Sequence, residues 1–207
     1  IFVLMIENNI IGIVLAGGKS SRFGEDKSNA RLGKKTLLDH TIDKIEKQFN
    51  EILIISSNNK YNFKNNKIYI IEDYIQGQLG PLIGILTAMK WVNENKKNYK
   101  WIASFPCDTP FFDTKFISKL KTKSKETSKK LIFLNSNNKR HNIFGLWSMD
   151  LIETLENDIK NNFRKVEVWA DKIGYESINI KTEKFDRFLN INTKVDLEIA
   201  KESIDKI

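Results

Sequence analysis

Short apolar runs alternate with stretches of helical period along most of this chain. Ile10–Leu15, Ile52–Ser56, Ile68–Glu72, Trp101–Phe105, Leu131–Leu134 and Glu176–Ile180 have the length of strands, and most are rich in β-branched or aromatic residues. Between the first two runs, Leu38, Ile42, Ile45 and Phe49 fall on one helical face. Pro81 suits a first helical position, and Leu82, Ile85, Leu86, Met89 and Val92 follow it as a buried stripe. Phe116, Ile117 and Leu120 mark another helix after the fourth run. Alternation of this kind predicts an α/β fold: a mostly parallel twisted sheet with helices on both faces.

The later half is less regular. Phe144-Gly145-Leu146-Trp147 reads as a strand of mixed character, and Leu151, Ile152 and Leu155 suggest a helix after it. Thr193-Lys194-Val195-Asp196 has the form of a capping box, opening a last helix with Leu197, Ile199 and Ala200. Asn135 to Lys139 is turn-like, and Lys119 to Lys130 is expected to cover a helix end and a solvated loop. With no repeat, linker or low-complexity stretch, residues 1–207 are expected to form a single domain.

Composition narrows the class. A hydrophobic share of 41% with 29% charged residues is that of a globular chain able to bury a core. No apolar run approaches the roughly 20 residues that span a bilayer, so no membrane partner is expected. Ile1 to Ile6 is short and lacks the flanks of a signal peptide. One cysteine, Cys107, precludes an internal disulfide and fits a reducing cytoplasm. The net charge of +8 admits polyanions, but the lysines are spread along the chain among Asn and Ile. A solvated basic surface is the preferred reading over a nucleic-acid partner.

Chemistry concentrates first where Ile10–Leu15 empties into Ala16-Gly17-Gly18-Lys19-Ser20-Ser21-Arg22-Phe23-Gly24-Glu25-Asp26-Lys27. Gly17 and Gly18 are expected to turn with positive φ and let a ligand approach the backbone. Converging N–H groups in such a loop, with Lys19, Arg22 and Lys27, suit the phosphates of a nucleotide. A P-loop is excluded, because its first glycine would fall on Ile13, inside the strand. A dinucleotide fingerprint is absent too.

The fourth strand runs directly into Cys107-Asp108-Thr109-Pro110. That delivers one carboxylate, Asp108, to the sheet edge where open α/β folds bind ligands. Read alone, Asp108 is equally a metal-binding carboxylate or a helix N-cap. His40, His141 and the lone cysteine cannot make a zinc cage. Other blocks are Glu72-Asp73-Tyr74, Gly80-Pro81-Leu82-Ile83-Gly84, Arg140-His141-Asn142, Arg164-Lys165-Val166 and Asn190-Ile191-Asn192-Thr193. Strand alternation would point Asn190 and Asn192 to one face, with turn chemistry and capping as the plainer alternative. Arg164 and Lys165 fit either a solvated basic face or phosphate binding.

The ordered set Leu15 to Gly18, Ser20, Arg22, Gly24, Asp26 and Lys27 resembles the first motif of the GT-A-like nucleotidyltransferases, a Rossmann-like group. Within it, the Asp108-Thr109-Pro110 and Gly80-Pro81-Leu82 segments are similar to those of the molybdenum cofactor guanylyltransferases. The resemblance implies Mg²⁺-dependent transfer of GMP from GTP to molybdopterin, with Asp108 on the metal and Arg22 and Lys27 on the triphosphate. It further implies that Leu15, Ala16, Gly17, Gly18, Ser56, Asp73 and Gly80 contact the nucleotide. Arg164, Lys165, Asn190 and Asn192 would lie towards the acceptor, and proteins that deliver or collect the cofactor are candidate partners. Departures from the family pattern are Ser56 for an asparagine (Asn58 is a candidate substitute), Ile83 for an alanine, Asn142 for a proline and Lys194 for a proline. The rivals are a cytidylyltransferase of the same fold and a non-catalytic nucleotide- or polyanion-binding protein.

Overall fold

A computed structural model describes residues 9–17, 23, 27–56, 61, 63–74, 80–95, 98–181 and 185–204. The strands are β1 (Ile10–Leu15), β2 (Arg31–Leu32), β3 (Lys35–Thr36), β4 (Ile52–Ile55), β5 (Ile68–Ile71), β6 (Trp101–Pro106), β7 (Leu131–Ser136), β8 (Lys139–Ser148) and β9 (Glu176–Asn179). The α-helices are α1 (Leu37–Ile45), α2 (Pro81–Asn95), α3 (Lys115–Glu126), α4 (Ile152–Lys160), α5 (Val166–Ile173) and α6 (Lys194–Ile204). Seven strands form one sheet in the order β5-β4-β1-β6-β8-β7-β9, while β2 and β3 make a small antiparallel hairpin.

The β5, β4, β1 and β6 strands are parallel, and β9 lies parallel to β7. Only β8 runs against its neighbours, pairing antiparallel with both β6 and β7. The sheet is thus mostly parallel, as the alternation predicts. The β7–β8 turn explains the reversal: Asn137 and Asn138 both take left-handed backbone angles, φ 50° and 59°, the geometry of a tight hairpin.

Alternation along β1 divides the core between the two sheet faces. Ile10 and Val14 pack with Leu38 and Ile42 of α1 and with Phe116, Ile117 and Leu120 of α3. Ile11 and Ile13 face the other way, towards Leu82, Ile85 and Met89 of α2, Leu155 of α4 and Trp169 of α5. Full burial of each such side chain contributes about 1.5–3 kcal/mol, so both faces must be covered for the sheet to persist. A third cluster, with Phe23, Leu32, Leu37, Phe111, Ile191 and Leu197, anchors α6 beneath the carboxyl end of the sheet.

Helix starts follow the sequence. Pro81 opens α2, and Thr36 caps α1 through a reciprocal pair with Asp39. At α6 the Asp196 backbone N–H donates to Thr193 Oγ1 at 3.1 Å, and the Thr193 N–H donates to Asp196 Oδ2 at 2.8 Å. The stretch Lys119 to Lys130 holds a helix end and a loop, as expected: α3 runs through its lysines to Glu126, and 127–130 are non-helical. The periodic Phe116, Ile117 and Leu120 hold its inner face, and the lysines are its solvated face.

Candidate active site

β1 lies between β4 and β6, so the chain leaves it on one side and returns on the other. This is the switch point at which open α/β sheets form a crevice at their carboxyl ends. Here the crevice is a cleft of about 390 Å³ lined by Leu15, Gly17, Ile55, Asp73, Gly80, Pro81, Gly84, Pro106, Asp108 and Ile143. Its walls are largely aliphatic, and the charged groups among these described residues are two carboxylates.

Two backbone hydrogen bonds draw the strand ends together. The Ala16 N–H donates to the Ile55 carbonyl at 2.9 Å, and the Cys107 N–H to the Leu15 carbonyl at 3.3 Å. Gly17 is thereby brought to the cleft beside Asp73 and Asp108. It is not among the described glycines with positive φ, which are Gly33, Gly80 and Gly174. The expected left-handed turn at Gly17 therefore gives way to the simpler benefit of a missing side chain. A Cβ there would stand 3.7 Å from Asp73 Oδ2, against the cleft wall. Gly18, Arg22, Lys19 and Asn58 lie outside the described residues.

Asp108 is the centre of a polar cluster. The Lys27 ammonium donates to Asp108 Oδ2 at 2.5 Å and to the Asn192 side-chain oxygen at 3.0 Å. Lys27 and Asp108 side chains are 16% and 18% exposed, so the pair is shielded yet reachable. Thr109, fully buried, donates its hydroxyl to Asn190 Oδ1 at 2.5 Å, with Asp108 Oδ1 at 3.2 Å. The Ile191 N–H closes the cluster by donating to the Asp108 carbonyl at 2.8 Å. Residues 190–192 form no strand; this backbone bond and the buried Ile191 hold them extended. Asn190 meets the Asp108 loop through Thr109, and Asn192 reaches the cluster through Lys27. Asp108 caps no helix, and α3 begins only after Thr114.

Behind Asn192, burial opposes ionisation of Asp196. Hydrogen bonds from Thr193 and Asn192, with the Lys27 charge beyond them, nonetheless hold its carboxyl below the usual aspartate range. The N-terminal end of α6 is in this way wired to the Asp108 cluster.

Asp73 stands on the opposite wall. Its Oδ1 is buried with no hydrogen-bond partner among the described residues, and desolvation raises its pKa above the ordinary aspartate value. Gly84, on the first turn of α2, is packed so closely that a Cβ would lie 2.9 Å from Leu15 Cδ2 and 3.7 Å from Asp73 Oδ1. Gly80 turns with φ 95°, and a Cβ there would meet the Arg164 carbonyl at 3.3 Å. Ile83 is absorbed into the core under α2 and does not line the cleft. Ser56 is buried at the end of β4, its N–H bonded to the Ile71 carbonyl, and it too is away from the lining.

The basic candidates separate. The Arg164 guanidinium donates to the carbonyls of Ile159 at 2.6 Å and Phe163 at 2.8 Å, and to Asn162 Oδ1 at 3.2 Å. It serves the carboxyl end of α4, where a cation also offsets the helix dipole. Lys165 is exposed just before α5. Arg140 donates to Asp171, Asn142 and the Glu167 carbonyl and lies over the Tyr175 ring, tying β8 to α5. His141 stacks on Phe188 and is bonded to Ser136.

Ile55, Pro106 and Ile143 line the cleft, and Thr109 supports it, without being named as site residues from the sequence. Thr109 has a signal, a small hydroxyl directly after the candidate carboxylate; Ile143 has none.

The donor set is suited to a hard divalent cation. Asp108 Oδ2 and Asn192 Oδ1 are hard oxygens, and they already share one cation, the Lys27 ammonium. Among the described residues no cluster of three or more Asp, Glu, His or Cys side chains could hold a metal by itself. Among the described residues, a metal here would draw further oxygens from substrate and water, the habit of Mg²⁺. No helix among these residues is long and apolar enough to cross a membrane.

Comparison with known proteins agrees with this geometry. A molybdenum cofactor guanylyltransferase from Nitrobacter hamburgensis is 29% identical over 191 residues, covering 91% of each chain. One from Yersinia pseudotuberculosis serotype O:1b is 29% identical over 195 residues, covering 94% of this chain and 96% of its own. Among solved structures, molybdopterin-guanine dinucleotide biosynthesis protein A from Archaeoglobus fulgidus superposes with a TM-score of 0.75 at 21% identity, covering 95% of this chain and all of that one. A 2-C-methyl-D-erythritol 4-phosphate cytidylyltransferase from Francisella tularensis superposes at 0.71 and 18% identity, with the same coverage. These two structural matches establish the fold. Residues 12–170, from the middle of β1 into α5, match the MobA-like NTP transferase domain, and the chain belongs to that family of nucleotidyltransferases.

Proposed function

We propose that this protein, as a single domain over residues 1–207, transfers GMP from GTP to molybdopterin in the cytoplasm. The observation that carries the proposal is a shielded Lys27–Asp108 ion pair in the same aliphatic cleft as Asp73, whose Oδ1 has no partner among the described residues. A buried acceptor without a donor asks for a ligand that supplies one. Guanine offers N1–H and the 2-amino group side by side, a match for a carboxylate. Cytosine would turn an acceptor nitrogen towards it. The names of the relatives support the same substrate pair.

In this reading the aliphatic walls exclude water, and the Gly17 backbone lets the nucleoside lie close against β1. Lys27 offsets charge on the triphosphate, as an ammonium does for phosphates; Arg22 is assigned the same task from the sequence. Asp108 and Asn192 would hold Mg²⁺, which neutralises charge developing at the reacting phosphate when it is bound. The terminal phosphate of the acceptor is already an anion, so the protein needs no covalent nucleophile and no general base. Its work is positioning. Asn190 and Asn192, beside the Asp108 cluster, are assigned to the acceptor, as are Arg164 and Lys165 from the sequence alone, and proteins that hand over or receive the cofactor would approach there.

Calorimetric titration with GTP and CTP, with and without Mg²⁺, tests the proposal. GTP is expected to bind about tenfold tighter than CTP or better, more so with Mg²⁺. A preference for CTP would overturn the guanylyl assignment in favour of cytidylyl transfer. Near-normal turnover by Asp108→Ala would overturn the role given to that carboxylate.

A further inference from the structure

Lys27 is placed between the two oxygens that a divalent cation would use. Its Nζ lies 2.5 Å from Asp108 Oδ2 and 3.0 Å from Asn192 Oδ1, while Asp108 Oδ1 faces the Thr109 hydroxyl. Oδ2 is therefore occupied by the protein's own cation. Mg²⁺ binds oxygen at about 2.0–2.1 Å. A dication at that distance from Oδ2 and an ammonium at 2.5 Å from the same atom would be pressed together inside a shielded pocket, where like charges are poorly screened. The two cations must exchange.

We propose that Lys27 is a removable counter-ion: its ammonium closes Asp108 and Asn192 to a divalent cation until a triphosphate draws it away. This rests on the nucleotide reading above. A triphosphate supplies the anionic oxygens that Lys27 trades for the carboxylate, and the same phosphates complete the shell that a lone aspartate and an amide cannot. The exchange makes binding of nucleotide and metal cooperative, and each raises the affinity for the other by the same factor. It also keeps the resting enzyme from holding a bare metal ion. The link to α6 gives the exchange a structural anchor, since Asn192 is fixed through its own N–H to Asp196.

Mn²⁺ provides the probe, because the free ion is counted directly by electron paramagnetic resonance. In nucleotide-free protein, Lys27→Met is expected to bind one Mn²⁺ about tenfold tighter than the parent or better. The double variant Lys27→Met with Asp108→Asn is expected to lose that gain. Lys27→Gln, which keeps a neutral donor, gives the same comparison if the Met variant does not fold. Equal Mn²⁺ affinity in the parent and both Lys27 variants, with GTP binding to the parent intact, would overturn the counter-ion proposal alone. Failure of the parent to bind GTP by calorimetry would instead overturn the nucleotide reading beneath it.

Discussion

The Thr109 hydroxyl donates to the Asn190 side-chain oxygen at 2.5 Å, joining two segments that lie 81 residues apart in the chain. Thr109 is fully buried, while Asn190 is exposed, so the bond ties a surface strip to the interior. It holds the 190–192 strip against the loop that carries Asp108, and Asn192 in that strip is a partner of Lys27. Thr109→Val keeps the shape and removes the donor. Asn190 is exposed, so water can replace the lost donor, and the expected loss of stability is about 0.5–1.5 kcal/mol, the net worth of one hydrogen bond. Because Asp108 then loses its fixed setting, kcat should fall more than KM rises. Thermal unfolding and steady-state kinetics check the two parts. An unchanged kcat with reduced stability would make Thr109 purely structural.

Asp73 should show a trade of stability for binding. Burial raises its carboxyl above the ordinary aspartate range. Below the unfolded value both states are protonated and no penalty arises. As pH rises through the raised folded value, the native state carries a charge that it disfavours, and stability is lost. Asp73→Asn should therefore be more stable than the parent at pH 7, and the difference should vanish below about pH 4, where the unfolded aspartate is itself protonated. GTP affinity should fall about tenfold or more, as for loss of a charged hydrogen-bond partner. Denaturant titration at several pH values, paired with calorimetry, measures both. Normal GTP binding by Asp73→Asn would remove Asp73 from the nucleotide site.

Gly84 and Gly80 are intolerant for different reasons. At Gly84 a Cβ would stand 2.9 Å from Leu15 Cδ2, so Gly84→Val must push Leu15 towards the cleft or tilt α2 away from β1. Nucleotide affinity should drop about tenfold or more, with about 1–3 kcal/mol of overpacking cost. At Gly80 the φ of 95° and the nearby Arg164 carbonyl make even alanine strained. Gly80→Ala should cost about 1–3 kcal/mol of stability. Calorimetric binding and thermal melts of the two variants separate blockage from strain.

What is legible in the sequence, and what is not, follows from where the information lies. β1 is visible to the residue, because Ile10–Leu15 is apolar throughout and leads within two residues to a glycine. Pro81 and the Thr193–Asp196 box are local chemistry, and both helix starts are where that chemistry puts them. Asp108 and Lys27 can be nominated, but their contact cannot, because it depends on the β1–β6 pairing and on Asn192 from near the chain's end. α5 escapes notice. Its buried Val166, Trp169 and Ala170 alternate with charged residues over only eight positions, and the preceding Arg164-Lys165 draws attention as a basic motif. β8 is only partly visible, because polar Arg140, His141 and Asn142 at its start find partners on α5, on β7 and among themselves. A strand whose polar residues are satisfied by distant elements does not read as a strand. Gly17 does not take the expected positive φ; the bonds that position the strand end are made by its neighbours, from Ala16 to β4 and from Cys107 to β1, and are not visible in its own sequence.

His141 should make the fold sensitive to mild acid. Its ring stacks on Phe188 with centroids 3.8 Å apart, meets Phe144 edge-on, and shares a 2.7 Å hydrogen bond with Ser136. Burial in this aromatic nest, helped by the Lys139 charge and opposed by Asp186, lowers its pKa from 6.5 to about 4. The unfolded chain therefore takes up a proton before the native state does. Stability contributed by the neutral ring is fully present above the unfolded value and is lost as pH falls from 6.5 towards about 4. The loss should be on the order of 1 kcal/mol once the ring's partial exposure is allowed for. His141→Phe keeps the stacking and cannot titrate. At pH 7 it should be weaker than the parent by about 1 kcal/mol, the Ser136 hydrogen bond. Towards about pH 5 the gap should close or reverse, because the parent alone bears the cost of keeping the imidazole neutral. Urea unfolding of both proteins at half-unit steps between about pH 5 and pH 7.5 resolves the slope. Parallel profiles would mean that the ring is protonated in the native state at its ordinary pKa, and the aromatic nest would then have no part in acid sensitivity.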